Sequence, residues 1–387
     1  MKKDEASTKK KLLFITGTRA DYGKIKALVK KVDEVDDFEA YVYVSGMHLL
    51  PIYGNTYKEV LKDNFKNVYV AFGQRYTESM SYNFGNVVCN LTGYVESIKP
   101  DMIIVHGDRG DALAGAVVGA LSNIKVGHIE GGEISGTIDD SIRHAISKFA
   151  HLHFVSTEKA KTRLEQLGEE SGHIFVIGSP DIDIMLKDNQ PTLDYVKEYY
   201  EIPFDDYGIF MYHPVTTEYD IVGRNIETIV DALLESGRNY IVVYPNNDLG
   251  TEVILNELKR LEDHPNFRVY PSLRFEYFLT LLRNTSFVIG NSSAGIRETG
   301  IFGIPDIDIG TRQNGRYDIQ VLQNIQHVPE DREEILAAIG RVDAFRVKSK
   351  EFGKGKSTDL FMNVIRREEI WDCDIQKHFI DIETKEV

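Results

Sequence analysis

Residues 128–144, reading HIEGGEISGTIDDSIRH, set four carboxylates (Glu130, Glu133, Asp139, Asp140), two histidines and Arg143 between an apolar strand and a helix. A loop that only reverses direction needs Gly, Asn or Pro, not this density of titratable groups. Acid/base chemistry does need several positioned carboxylates whose surroundings drive their pKa values apart. His106-Gly107-Asp108-Arg109 ends the preceding apolar strand, MIIV. Its charges fall at a strand's carboxyl end, where doubly wound folds place their chemistry, and the tip carrying Glu130 is expected beside it. A buried ion pair is the competing reading of the same tetrapeptide.

Further motifs suit an anionic ligand. Gly17-Thr18-Arg19-Ala20-Asp21-Tyr22-Gly23 joins the first strand to a helix expected from Lys24. Arg19 and Lys24 beside that helix N-terminus favour an anion. The stretch does not spell GxGxxG, so a dinucleotide fingerprint is absent. Asn291-Ser292-Ser293-Ala294-Gly295-Ile296-Arg297-Glu298 follows the apolar strand FVIG. Its hydroxyls and N–H groups read as a phosphate cradle, with an ordinary N-cap as the competitor. Glu298, a little way into that helix, suits sugar hydroxyls. His213-Pro214 and the run Tyr244-Pro245-Asn246-Asn247-Asp248 end two more strands and are expected to line the same cleft. Phe275 is expected near enough to it to touch a base. His151 and His153 lack a third ligand at zinc spacing and read as structural.

Two sets of elements must position these groups. In the first half, apolar runs at 12–16, 40–45, 102–106, 125–129, 153–156 and 174–178 alternate with helical patterns at 24–32, 86–98, 112–121, 141–149 and 159–167. The rhythm weakens around 190–206 and restarts with strands at 209–212, 240–244, 267–270, 287–289 and 306–309. Its helices fall at 225–235, 252–261, 275–283 and near 295–302. Such alternation implies parallel sheets covered by helices on both faces. The expected class is therefore α/β, with two doubly wound domains facing across a cleft. The expected division is a polar tail at 1–10, a first domain at 11–188 and a connection at 189–206. A second domain follows at 207–358, and C-terminal helices at 359–387 pack back on the first.

Composition narrows the partners. The 387-residue chain exceeds one ordinary core, and 42% hydrophobic with 27% charged residues is globular. A net charge of −15 argues against an extended nucleic-acid surface. No run of roughly 18 apolar residues offers a membrane span, and no signal-peptide pattern opens the chain. Cys89 and Cys373 are too few for a disulfide framework. A reduced, cytoplasmic protein is expected.

Taken together, GTRADYGK, GMHLLPIYGNTYKEV, HGDR, HIEGGEISGTIDDSIRH, HPVTTE, YPNND, NSSAGIRE and GTRQNGR resemble the hydrolysing UDP-N-acetylglucosamine 2-epimerases of bacterial sialic-acid pathways. They are similar also to the epimerase half of the bifunctional animal enzyme. The resemblance runs in order from about Lys11 to Arg316. It implies a GT-B-like fold of two Rossmann-like domains and conversion of UDP-GlcNAc and water to N-acetylmannosamine and UDP. The route passes through a 2-acetamidoglucal, with no metal and no redox cofactor. It places Asp108, Glu130 and Asp139 among the acid/base groups, with Arg109 and Arg143 holding substrate or orienting carboxylates. On the nucleotide side it places Arg19, His213, Asn246, Ser292, Ser293, Glu298 and Arg312, with His213 assisting the leaving phosphate. A homodimer or homotetramer is also implied. The alternatives are a hydrolysing 2-epimerase of a UDP-2,4-diacetamido sugar and a GT-B glycosyltransferase.

Overall fold

The computed structural model describes residues 9–73, 75, 78–187 and 190–381. Most of the expected polar tail therefore lies outside the described residues, as do residue 188 at the end of the expected first domain, residue 189 at the start of the connection, and residues 382–387 of the expected C-terminal segment. Seven strands form the first sheet: β1 (Lys10–Thr16), β2 (Phe38–Val44), β3 (Asn67–Val70), β4 (Met102–His106), β5 (Lys125–Ile129), β6 (Leu152–Val155) and β7 (Ile174–Val176). Six form the second: β8 (Gly208–Met211), β9 (Tyr240–Val243), β10 (Phe267–Tyr270), β11 (Phe287–Gly290), β12 (Asp306–Ile309) and β13 (Ile325–Val328). Every pairing is parallel. The orders are β3-β2-β1-β4-β5-β6-β7 and β10-β9-β8-β11-β12-β13. The expected pair of GT-B-like, Rossmann-like domains is what the chain forms.

In both sheets the strand order reverses at one point, between β1 and β4 and between β8 and β11. Loops leaving the carboxyl ends of such neighbours diverge to opposite faces and open a crevice. The first crevice carries Gly17–Asp21 and Gly107–Arg109; the second carries His213 and Asn291–Ser293. Helices cover both faces of each sheet, since each buries two separate apolar clusters. For the first sheet, Leu12, Phe14, Ile104 and Phe154 face one way, and Leu13, Ile15, Ile103 and Val105 the other. Period-2 alternation within a strand requires that split.

Several boundaries differ from the sequence reading for local reasons. The first helix spans Arg19–Asp33, because Thr18 and Asp21 close a capping box. Another spans Ile138–Phe149 with Thr137 as N-cap, so Asp139 and Asp140 lie in its first turn, not in the preceding loop. Strands β3 and β13 were not expected. Both are short edge strands whose polar residues hide the apolar pattern. The stretch that reads as a connection contains the helix Leu193–Tyr199, whose Val196 is buried with Tyr207 and Ile209 of the second domain. At the C-terminus, helix Ser357–Ile365 sends Phe361, Met362 and Ile365 into the core under Leu12 and Phe154. Asp183 accepts from its first backbone N–H groups, Ser357 at 2.9 Å and Thr358 at 2.7 Å. No described helix is long and apolar enough to cross a membrane.

Candidate active site

The two crevices meet in one cavity of about 310 Å³. Every site residue singled out from the sequence lines it: Arg19, Lys24, Asp108, Arg109, Glu130, Asp139, Arg143, His213, Asn246, Phe275, Ser292, Ser293, Glu298 and Arg312. Their surroundings give the carboxyl groups different characters.

Asp108 follows Gly107, whose φ of +71° turns the chain out of β4. Burial alone would raise its pKa. The guanidinium groups of Arg143, Arg316 and Arg109 outweigh that and hold it well below the ordinary carboxylate range. Arg143 pairs with it directly. Asp108 still exposes 20% of its side chain, against 5% for Glu130 and 8% for Asp139, so it is the most accessible carboxyl group of the three.

Asp139 behaves oppositely. Burial raises its pKa, and the Asp108 charge adds to the effect, while Arg109 and Arg312 pull against it. Two guanidinium groups pair with it, Arg312 at 3.4 Å and Arg109 at 4.0 Å. A helix first turn ordinarily favours a carboxylate anion. Here desolvation and the like charge win, and Asp139 holds its proton more tightly than a free aspartic acid.

Glu130 adopts a φ of +64° at the end of β5, which aims its side chain back between the domains. Arg297 reaches Oε1 at 2.6 Å, and Ser179 donates to the same oxygen. His106 Nε2 stands 3.1 Å from Oε2 and Lys24 Nζ 3.8 Å away. Burial opposes ionisation, but Arg297, Lys24 and His106 override it and keep Glu130 charged. Glu133 is held likewise: Arg297 pairs with Oε1 and Arg316 reaches Oε2 at 3.1 Å. Glu298 lies 3.1 Å from Lys24. Burial, with the charge of Asp181 and against the pull of Lys24, pushes its pKa up to about 7.

On the opposite wall, the backbone N–H of Asn246 donates to His213 Nδ1 at 3.0 Å. Nδ1 therefore carries no proton, and the neutral ring bears its hydrogen on Nε2. Burial, with the charges of Arg312 and Arg109, drives the His213 pKa well below its usual value. The ring remains a neutral donor. Asn291 braces its backbone from both sides, accepting from His213 N at 2.7 Å and donating to His213 O at 2.9 Å. Gly290, with a φ of +133°, is pressed so close to Met211 that a Cβ would run into its carbonyl oxygen.

Some expected ligand groups are already engaged within the protein. Lys24 sits among three carboxyl groups, Glu298, Asp181 and Glu130, instead of waiting for an anion. Ser292 is an N-cap, accepting from Ala294 N at 3.3 Å. Arg19 links Glu59 at 2.7 Å to Ser272 of the second domain at 2.8 Å. The Phe275 ring fills the space left by the missing side chain of Gly23. His153 contacts Glu169 and His151 the carbonyl of Ile375. Among the described residues no group of three His, Cys, Asp or Glu side chains is arranged to hold a metal ion.

The sequence reading missed Arg297, Arg316 and Asp181 as members of this site. Arg297 is 1% exposed at its side chain and binds Glu130 and Glu133 across the cleft. Its only signal was its place between Ser293 and Glu298 in a motif already flagged. Arg316 closes the GTRQNGR motif, from which only Arg312 was singled out, and Asp181 carried no signal separable from ordinary surface charge.

Comparisons with known proteins agree with this geometry. The family model described as UDP-N-acetylglucosamine 2-epimerase matches residues 30–366. A UDP-N-acetylglucosamine 2-epimerase of Neisseria meningitidis serogroup B is 46% identical, covering 96% of this chain and 99% of its own. A UDP-N,N'-diacetylbacillosamine 2-epimerase (hydrolyzing) of Legionella pneumophila is 34% identical, covering 92% and 96%. Two solved structures share the fold. The Neisseria meningitidis UDP-GlcNAc 2-epimerase bound to UDP-GlcNAc superposes with a TM-score of 0.76 at 19% identity, covering 92% of this chain and 99% of that one. The Methanocaldococcus jannaschii enzyme in complex with UDP-GlcNAc and UDP gives 0.77 at 20% identity, with the same coverage. With two facing switch points, a carboxylate-lined wall and a match spanning most of its length, this chain belongs to the UDP-N-acetylglucosamine 2-epimerase family.

Proposed function

We propose that the protein is a hydrolysing UDP-GlcNAc 2-epimerase, converting UDP-GlcNAc and water to N-acetylmannosamine and UDP. The observation that carries this reading is one cavity holding an ionised Asp108 beside an Asp139 whose pKa is raised by burial and by the Asp108 charge, with the neutral donor His213 on the opposite wall. Asp108 takes the C2 proton as the C1–O bond breaks and its electron pair leaves with UDP. His213 Nε2–H and Arg312 stabilise the departing phosphate oxygen. The 2-acetamidoglucal left behind receives a proton at C2 from Asp139 on the other face, while water supplies oxygen to C1. The proton shed by that water restores Asp139, and the one on Asp108 returns to solvent. One proton is thus released per turnover. Glu130 and Glu133 act on this reading as fixed charges that hold Arg297 and Arg316, not as proton carriers.

The test is an NMR time course of UDP-GlcNAc in deuterated water. The expected products are UDP and N-acetylmannosamine carrying deuterium at C2 and needing no acceptor. Release of unepimerised sugar, or conversion to UDP-ManNAc without cleavage, overturns the reading. A second substrate is worth the same assay. The Legionella pneumophila relative and a Campylobacter jejuni relative, 32% identical over 81% of this chain, are named for UDP-N,N'-diacetylbacillosamine. Supply of sialic acid synthesis belongs to the proposal. A polysialic acid biosynthesis protein P7 of Escherichia coli, 32% identical over 79% of this chain, supports it. The family resemblance further supports a cytoplasmic homodimer or homotetramer.

A further inference from the structure

Behind the reacting wall lies a second cavity of about 1030 Å³. It shares Thr18, Met47, Asp108, Arg109 and Asp139 with the first, so the two spaces adjoin at those residues. The partition is centred on Arg109, whose NH1 reaches Asp248 of the second domain at 3.2 Å and whose NH2 lies 4.0 Å from Met47 Sδ. On its far side this cavity opens to solvent, since Met80, Ile138, Tyr219 and Leu249 on its rim are 44–59% exposed.

The two linings differ in charge. Arg19, Lys24, Arg143, Arg312 and Arg316 face the first cavity and not the second. Among the described residues of the second, Arg109 is the sole cation, set against carboxyl groups that include Glu78, Asp111, Asp248 and Glu252. Such a lining repels a pyrophosphate. It also carries hydroxyl groups, among them Ser79, Thr137 and Thr216, interleaved with Phe84, Val87 and Ile142. Donors and acceptors alternating with apolar patches match the hydroxyls, acetamido group and C–H faces of a neutral amino sugar.

Resting on the hydrolytic reading, we propose that this second cavity is a binding subsite and exit route for the neutral acetamido sugar. It lets water in and the free sugar out while UDP still fills the first cavity. Such a path suits hydrolysis, because it admits water to C1 without displacing UDP from the first cavity.

The experiment uses UDP-saturated full-length protein with N-acetylmannosamine as the probe, read by saturation-transfer NMR, and UDP stoichiometry by calorimetry. Ser141→Trp and Thr217→Trp fill the mouth of the cavity from exposed positions outside the reacting set. Expected are one UDP per chain, a sugar signal that persists in the presence of UDP, and loss of that signal in both variants with UDP affinity unchanged. Sugar bound only in the absence of UDP, no sugar signal at all, or a second UDP per chain each overturns the proposal. A signal indifferent to both tryptophans does so too. If the sugar behaves as expected but UDP-GlcNAc is not hydrolysed, the assigned reaction fails and the amino-sugar subsite stands.

Discussion

At the scale of single residues, neighbouring carboxyl groups are pushed in opposite directions, Asp108 down and Asp139 up. On the proposed reaction that is the division of labour a two-step proton transfer at one carbon requires. Asp108→Asn is expected to lower kcat by roughly 10²–10⁴-fold, the usual worth of a positioned acid or base. Its UDP affinity, measured by calorimetry, should stay close to that of the parent. Because Asp139 must carry its proton before C2 is reprotonated, wild-type kcat should fall as pH rises through its raised pKa. The Asp139→Asn protein should lose turnover at every pH. Glu298 makes a stability prediction. Its folded pKa of about 7 lies above the ordinary 4.5, so between these values the folded state binds more protons than the unfolded one. Stability from this group is complete below pH 4.5 and is lost as pH rises to 7. Thermal melts should therefore show Glu298→Gln gaining on the parent across that window; parallel curves would remove Glu298 as the titrating group.

At the scale of elements, loop 130–137 is built to touch the opposite domain. Gly136 donates its N–H to the carbonyl of Arg312 at 3.0 Å, and a Cβ there would run into Thr311 O. Gly136→Ala should hold the loop off its partner and shift Asp139 with it, since Thr137 caps the helix that carries Asp139. A displacement of that kind costs on the order of 10²-fold in turnover. The melting temperature should change little, because neither sheet nor core is involved. Comparison of kinetics with thermal melts decides this; loss of both together would show that the contact holds the fold.

At the scale of the molecule, the domains are fastened by charge. Arg297 of the second domain is enclosed by Glu130, Glu133, Ser156 and Ser179 of the first. Lys26 meets Glu276 and Arg109 meets Asp248 across the same interface. Removing one partner of a buried cluster strands the other charges, at a cost of about 3–5 kcal/mol. Arg297→Met should therefore lower the urea midpoint of the full chain by a corresponding amount and raise KM. An unchanged midpoint would mean that the two domains do not depend on this contact for stability.

Much of this architecture is legible in one dimension. Short apolar runs alternating with helical patterns require parallel sheets with covered faces, and a parallel sheet collects its strand tips on one edge. Hence HGDR, HIEGG, the HP of 213–214 and NSS could be placed around one cleft from sequence alone. What tertiary structure decided is the protonation and partnering of those groups. Arg297 meets Glu130 across 167 residues of sequence, and Arg312 meets Asp139 across 173. Coulomb energy and desolvation depend on separations of a few ångströms that no local pattern encodes. That is why the sequence marks Glu130 and Asp139 alike as acid/base candidates, while the fold surrounds Glu130 with Arg297, Lys24 and His106 and raises the pKa of Asp139 by burial beside Asp108.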